Sequence, residues 1–313
     1  MGMLDGKVAI ITGAGRGLGL EEALAMAREG CNIVVNDLGA AFDGSGAETK
    51  IADQVADECK KLGVKAVANY DSVTDFNKAK AMVDQAISEF GKLDILVNNA
   101  GILRDRMLFN MSEQEFDDVI AVHLKGTFNM TRHAAAYFRE KGKANEALGN
   151  FGRVINTASD AGLTGNVGQT NYGAAKAGIA AFTMNASAEL KKYATVNCIV
   201  PLARTRLTTD ATPQMVEIMN KLDETGLDVF NPTNVAPMVV FLASDKAKKI
   251  NGEVFRVVAD RVMLFQGWHT VNQIKNDHKP FTPQLIAEKI RELMKGAPKK
   301  ENLYALLGDL VKM

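Results

Sequence analysis

Seven short, almost continuous apolar runs punctuate the chain, at 7–13, 32–37, 65–70, 93–97, 153–158, 195–200 and 252–258. Runs of this length, without polar alternation, suit strands buried on both faces of a sheet. Between them lie longer stretches in which apolar residues recur every three or four positions, the period of a helix packed along one side. These stretches run from near Leu18, to about Leu62, and over 74–90, 112–141, 172–192 and 232–243. Strands alternating with helices predict an α/β fold with a doubly wound, parallel, seven-stranded sheet. Ser112 and Glu115 form a capping box at the start of one helix. Asn171 is placed to cap another.

Beyond 265 the pattern changes. Thr282 and Pro283 open a helix carrying Leu285, Ile286, Ile290 and Leu293. Gly296 and Pro298 break it, and a second short helix follows at 302–311. The organisation read from this is one sheet domain over 1–265 and a helical C-terminal extension over 266–313. The stretch 202–231 holds a short amphipathic helix at 213–223, whose position after a strand end suits a lid and a packing spacer equally.

The first apolar run ends in a turn with glycines at 13, 15, 17 and 19. Glycines there let backbone approach a pyrophosphate, and the helix that follows offers free N–H groups and the positive end of its dipole. Gly13, Gly15, Arg16, Gly17, Leu18 and Gly19 are therefore candidate cofactor contacts, and the sheet domain reads as a Rossmann-type dinucleotide-binding fold. Asp37 ends the second run, about 20 residues on, where an acid bonds the adenosine ribose 2′-hydroxyl. A carboxylate repels a 2′-phosphate, which favours NAD over NADP, although Arg16 puts a cation in the same turn.

Charge narrows the partners. The 313 residues carry 37 Lys and Arg against 37 Asp and Glu, a net charge of zero that favours neither nucleic acid nor an acidic membrane surface. No apolar run reaches the length of a membrane span. Three scattered cysteines, Cys31, Cys59 and Cys198, have no metal spacing and suit buried thiols in a reducing compartment. The N-terminus runs straight into a strand, and the C-terminus is not a Ser-Lys-Leu address, so the expected location is cytoplasmic.

The candidate chemistry lies at 159–176. Tyr172 and Lys176 are four apart, so a helix presents both on one face, and Ser159 ends the strand run before them. A phenol is a weak base at its free pKa of ~10, and a neighbouring ammonium lowers that value. A tyrosine tuned in this way takes a proton from a substrate alcohol, while the serine hydroxyl holds the oxygen. Alone, Tyr-x-x-x-Lys is an ordinary helix pair; its weight comes from the rest of the chain.

Taken together, the glycine turn of 12–19, Asn98-Asn99-Ala100-Gly101, Ser159 and Tyr172-x-x-x-Lys176 stand in the order and spacing of the short-chain dehydrogenase/reductase superfamily, which the chain resembles over about residues 5–260. The stretches leading into Gly39, Val73, Phe128 and Tyr172 are similar to the dehydrogenase domains of the peroxisomal D-specific multifunctional β-oxidation enzymes, also named as a 17β-hydroxysteroid dehydrogenase, and to their stand-alone bacterial relatives. This resemblance implies NAD-linked oxidation of a (3R)-hydroxyacyl-CoA to the 3-ketoacyl-CoA, or of a hydroxysteroid, with no hydratase activity. It implies Tyr172 as the base, Lys176 lowering its pKa and holding the nicotinamide ribose, and Ser159 orienting the substrate oxygen. It implies Asp71, Ser72 and Val73 around the adenine, Asn98, Asn99, Ala100 and Gly101 along the cofactor path, and Pro201 and Thr205 near the carboxamide. His123 stands where most of the superfamily has an asparagine supporting a relay water, and that branch shares the histidine. Pro201-Leu-Ala replaces the usual Pro-Gly. A homodimer or homotetramer is implied, through the helices near 113–141 and 172–192.

Two other classes remain open to the sequence. One is an NADPH-dependent ketoacyl or ketosteroid reductase of the same fold. The other is a non-catalytic partner subunit, against which intact Ser159, Tyr172 and Lys176 argue.

Overall fold

A computed structural model describes residues 2–41, 43–46, 50–205, 217, 219–220, 222, 225–298, 301, 306 and 309. The strands are β1 (Val8–Thr12), β2 (Asn32–Asn36), β3 (Ala66–Asn69), β4 (Ile95–Asn98), β5 (Gly152–Thr157), β6 (Ala194–Pro201), β7 (Val254–Val258) and β8 (Arg261–Phe265). They form one sheet in the order β3-β2-β1-β4-β5-β6-β7-β8. The first seven are mutually parallel, as the periodicity predicts.

The eighth strand extends that expectation. It pairs antiparallel with β7, Val254 opposite Phe265 and Val258 opposite Arg261. Only Ala259 and Asp260 separate the two strands, and Ala259 adopts a positive φ of 50°. A two-residue hairpin usually announces itself with Asn-Gly or Gly; Ala-Asp carries no such signal.

The helices are α1 (Gly17–Arg28), α2 (Lys50–Lys61), α3 (Phe76–Phe90), α4 (Glu113–Ile120), α5 (Gly126–Ala144), α6 (Asp160–Leu163), α7 (Thr170–Leu190), α8 (Ala236–Ala243) and α9 (Pro283–Met294). Successive strand residues enter opposite layers. Ala9, Ile11, Ile33 and Val35 pack with Met26 of α1, Val55 of α2 and Leu242 of α8. Val8, Ile10 and Val34 pack with Met82 of α3, Phe138 of α5 and Ala186 of α7. Both faces are covered, which is why the strands read as unbroken apolar runs. Each fully buried large aliphatic contributes about 1.5–3 kcal/mol.

The predicted long helix is α4 and α5 joined by one π-helical turn, Ala121–Lys125. Ser112 and Glu115 form the expected capping box. Asn171 does not cap α7. Gln169 takes that position, and Asn171 lies inside the helix, its amide donating to the carbonyls of Arg104 and Glu115.

Thr282 caps α9 as expected, accepting from the Leu285 amide at 3.2 Å. None of α9 is buried, and Ile286, Ile290 and Met294 are exposed with Trp268 and Val271. The helices expected at 213–223 and 302–311 fall almost wholly outside the described residues. Among the described residues, no helix is long and apolar enough to cross a membrane.

Candidate active site

The strand order reverses between β1 and β4, so the loops leaving their carboxyl ends part and leave a crevice. The structure has a cavity of about 430 Å³ there. Its walls come from the glycine turn, the loop after β2, residues 71–74 after β3, residues 99–104 after β4, and Thr205.

The glycine turn is folded tightly against its neighbours. A Cβ on Gly13 would lie 2.8 Å from Ala100 Cα, and one on Gly19 would lie 2.3 Å from the Gly13 carbonyl oxygen. Thr12 Oγ1 accepts from the amides of Asn99 and Ala100 at 3.0 and 3.1 Å, and the Asn99 side chain donates to the carbonyls of Thr12 and Gly13. The turn is thus pinned from the β4 side, with bare backbone facing the cavity. The Asp37 carboxylate accepts from the Gly15 amide at 2.8 Å and the Gly39 amide at 2.6 Å. These features fit a dinucleotide, with Gly13, Arg16, Gly17, Leu18, Asp37, Asp71, Ser72, Val73, Asn99, Ala100, Gly101 and Thr205 along the cleft wall.

Several expected contacts sit elsewhere. The Asn98 side chain is buried and turned into the sheet, donating to Thr131 Oγ1 and Asn156 Oδ1, both at 2.9 Å. Adjacent strand residues face opposite ways, so Asn99 reaches the turn and Asn98 does not. Gly15 packs toward Ile51 and Asp37, Gly19 against the Gly13 carbonyl, and Pro201 ends β6; none of the three lines the cavity. Arg104, Asp43 and Asp118 line the cleft without any sequence signal. Arg104 pairs loosely with both acids, at 3.9 and 3.5 Å. Only the meeting of the loop after β2 with α4 brings them together.

Ser159 follows β5 and caps α6, its Oγ accepting from the Ala161 amide at 3.3 Å. Tyr172 and Lys176 lie on α7 as the spacing requires. Tyr172 is half-buried and packs with Ile102 and Val122, which line the cavity, and its phenol interacts with Ser159; Ser159, Tyr172 and Lys176 do not themselves line the cavity. Lys176 Nζ lies 5.5 Å from the Tyr172 ring centroid and donates to the Thr157 carbonyl at 2.5 Å. Serine, tyrosine and lysine therefore converge beside the cleft.

Their protonation differs from the sequence expectation. Burial pushes the Tyr172 phenol up to about 12; the Ser159 hydrogen bond opposes this, and the charges of Asp105 and Asp160 add to it. Burial brings Lys176 down to about 8. Burial thus outweighs the neighbouring charges in setting the phenol in this state.

His123 is buried in the π-helical turn, edge-on to Tyr172 with ring centroids 5.1 Å apart. Its Nε2 lies 2.8 Å from the Ile102 carbonyl and 3.1 Å from the Ile102 amide. Nδ1 is buried and unpartnered among the described residues. Burial lowers its pKa to about 3, with the Lys176 charge adding to the effect. A Cβ on Gly101 would stand 2.3 Å from the imidazole Cε1, so glycine there makes room for the ring.

Residues 7–215 match the family model described as short chain dehydrogenase. The chain belongs to that family. It is accordingly an oxidoreductase with a nicotinamide-dinucleotide fold, acting on CH–OH donors. It is 43% identical over 304 residues to the hydroxyacyl-CoA dehydrogenase ChsB1 of Mycobacterium tuberculosis, covering 96% of this chain and 93% of that protein. It is 42% identical over 289 residues to the peroxisomal hydratase-dehydrogenase-epimerase of Saccharomyces cerevisiae, covering 92% of this chain but only 30% of that longer enzyme. The crystal structure of a short chain dehydrogenase from Mycobacterium avium superposes with a TM-score of 0.83 at 44% identity, covering 96% of this chain and 98% of that one.

Proposed function

We propose that the protein oxidises a (3R)-hydroxyacyl-CoA to the 3-ketoacyl-CoA with NAD, using Tyr172, Ser159 and Lys176. The observation that carries this reading is the convergence of those three side chains beside Ile102 and Val122, two residues that line the dinucleotide cleft. Similarity across almost the full length of the mycobacterial hydroxyacyl-CoA dehydrogenase supports the substrate class. So do Leu108, Phe109 and Val167, which stand exposed on the two loops joined by the Arg106–Gln169 bridge just ahead of Tyr172. They offer an acyl chain an apolar lip. Cytoplasmic location and homo-oligomer formation belong to the same proposal.

The glycine turn and the α1 N-terminus hold the pyrophosphate, and Asp37 holds the adenosine ribose. Asp37 is why NAD is preferred over NADP. When bound, the nicotinamide takes the hydride and, in its oxidised form, brings a positive charge beside the site. Ser159 donates to the substrate oxygen and keeps it against the phenol. Tyr172 accepts the alcohol proton, with the Lys176 ammonium held beside it by its bond to the Thr157 carbonyl. Because burial holds the phenol protonated in the protein alone, loss of that proton, which must precede its acting as base, is coupled to occupation of the cleft.

Turnover of 3-hydroxyacyl-CoAs of graded length, followed as NADH formation, tests this. Tyr172→Phe should cut kcat about a thousandfold while leaving NAD affinity unchanged. A variant that kept most of the parent rate would remove Tyr172 from the chemistry.

A further inference from the structure

The turn that presents Ser159 is tied to the C-terminal segment through one buried arginine. Asp160, the next residue, is 2% exposed, and Arg256 on β7 is 3% exposed. Arg256 Nε and Nη2 both donate to Asp160 Oδ1, at 2.9 and 2.5 Å. On its other side Arg256 Nη1 and Nη2 donate to Glu301 Oε1 and Oε2, at 2.7 and 3.0 Å. The guanidinium also lies 4.5 Å from the centroid of Phe265 on β8. One cation thus serves two carboxylates, and its plane is set by a two-pronged bond from the C-terminal segment.

The arrangement bears on Ser159 for a physical reason. A buried carboxylate lacking its partner is costly, so Asp160 must follow wherever Arg256 points. Its Oδ2 has no partner among the described residues, which leaves Oδ1 as its one anchor. Ser159 is one peptide away and closes the same turn: the Gly162 and Thr164 amides return to the Ser159 and Asp160 carbonyls at 2.9 and 2.8 Å. Without Glu301, the guanidinium would keep Asp160 and Phe265 but lose the bond that fixes its rotation. Glu301 itself has a side chain 44% exposed, so the sheet does not depend on it.

We propose that Glu301 is a positioning residue for Ser159, acting through Arg256 and Asp160, so that docking of the C-terminal segment sets the hydroxyl that holds the substrate oxygen. This rests on the role proposed above for Ser159. It gives the C-terminal segment a part in turnover that no contact with substrate is needed to explain.

Glu301→Ala in the full chain tests it, with two readouts. Deuterium exchange in the folded protein without substrate should quicken about tenfold at the Gly162 and Thr164 amides, with Tm and NAD affinity unchanged. With a hydroxyacyl-CoA that the parent turns over, kcat should fall about tenfold while KM stays within twofold, since misplacing a positioning group costs rate more than binding. Unchanged exchange at 162 and 164 overturns the tie whatever the substrate proves to be. Faster exchange with an unchanged kcat overturns its role in turnover, as does a kcat loss that merely follows a fall in Tm. Failure of the parent on every hydroxyacyl-CoA is a separate result and counts against the substrate reading, because the exchange readout needs no turnover.

Discussion

At the scale of single residues, burial outweighs neighbouring charge. Tyr172 and Lys176 stand where the spacing puts them, yet desolvation moves the phenol up and the ammonium down, each toward its neutral form. His123 shows the same effect in a form that stability measurements can read. Its pKa is lowered from 6.5 to about 3 in the fold. The unfolded chain therefore binds a proton that the fold refuses, and stability falls as pH drops from 6.5 toward 3. The slope from this one group approaches ~1.4 kcal/mol per pH unit. His123→Asn, whose amide can still donate to the Ile102 carbonyl, should lack that slope. Thermal melts of both proteins from pH 7 to pH 4 check this; parallel curves would show that the imidazole is not the refused proton.

At the scale of elements, α1 carries a cost within its packed face. Glu22 is fully buried, and neither carboxylate oxygen has a partner among the described residues. Burial raises its pKa from 4.5 to about 8. Here the fold holds a proton that the unfolded chain releases, so stability falls as pH rises from 4.5 to 8. Glu22→Leu should stabilise the protein by about 3 kcal/mol at pH 8 and much less at pH 5. Urea unfolding at the two pH values measures the difference, and an equal gain at both would show that packing alone is responsible. The π-helical turn between α4 and α5 is the second element-level feature. Such turns favour functional positions, and this one delivers His123 to the backbone of Ile102, which lines the cleft.

At the scale of the molecule, the cleft is a composite of loops that follow β1, β2, β3 and β4 and meet only where the strand order reverses. Asp37 joins two of them by accepting from the Gly15 amide. Under the proposed function, Asp37→Ser should weaken NAD binding about tenfold and bring NAD and NADP affinities close together. Titration of protein fluorescence with both dinucleotides reads this; an unchanged NAD preference would take Asp37 out of ribose recognition. The antiparallel β8 completes the far side of the sheet and sets Phe265 against Arg256, beside the Asp160 turn.

Much of this was legible in one dimension. Unbroken apolar runs between helical periods specified a parallel sheet covered on both faces. The spacing of the glycine turn, Ser159, Tyr172 and Lys176 specified the candidate chemistry, because turn geometry and helical phase are local properties that neighbouring residues set. What tertiary structure alone decided were orientation and charge state. Asn98 turns inward and Asn99 toward the turn, the Lys176 ammonium meets the Thr157 carbonyl, and Asp160 finds Arg256 from 96 residues away. Each of these outcomes depends on solvent exclusion and on partners brought together only by the closed sheet, and neither quantity is carried by any short stretch of chain.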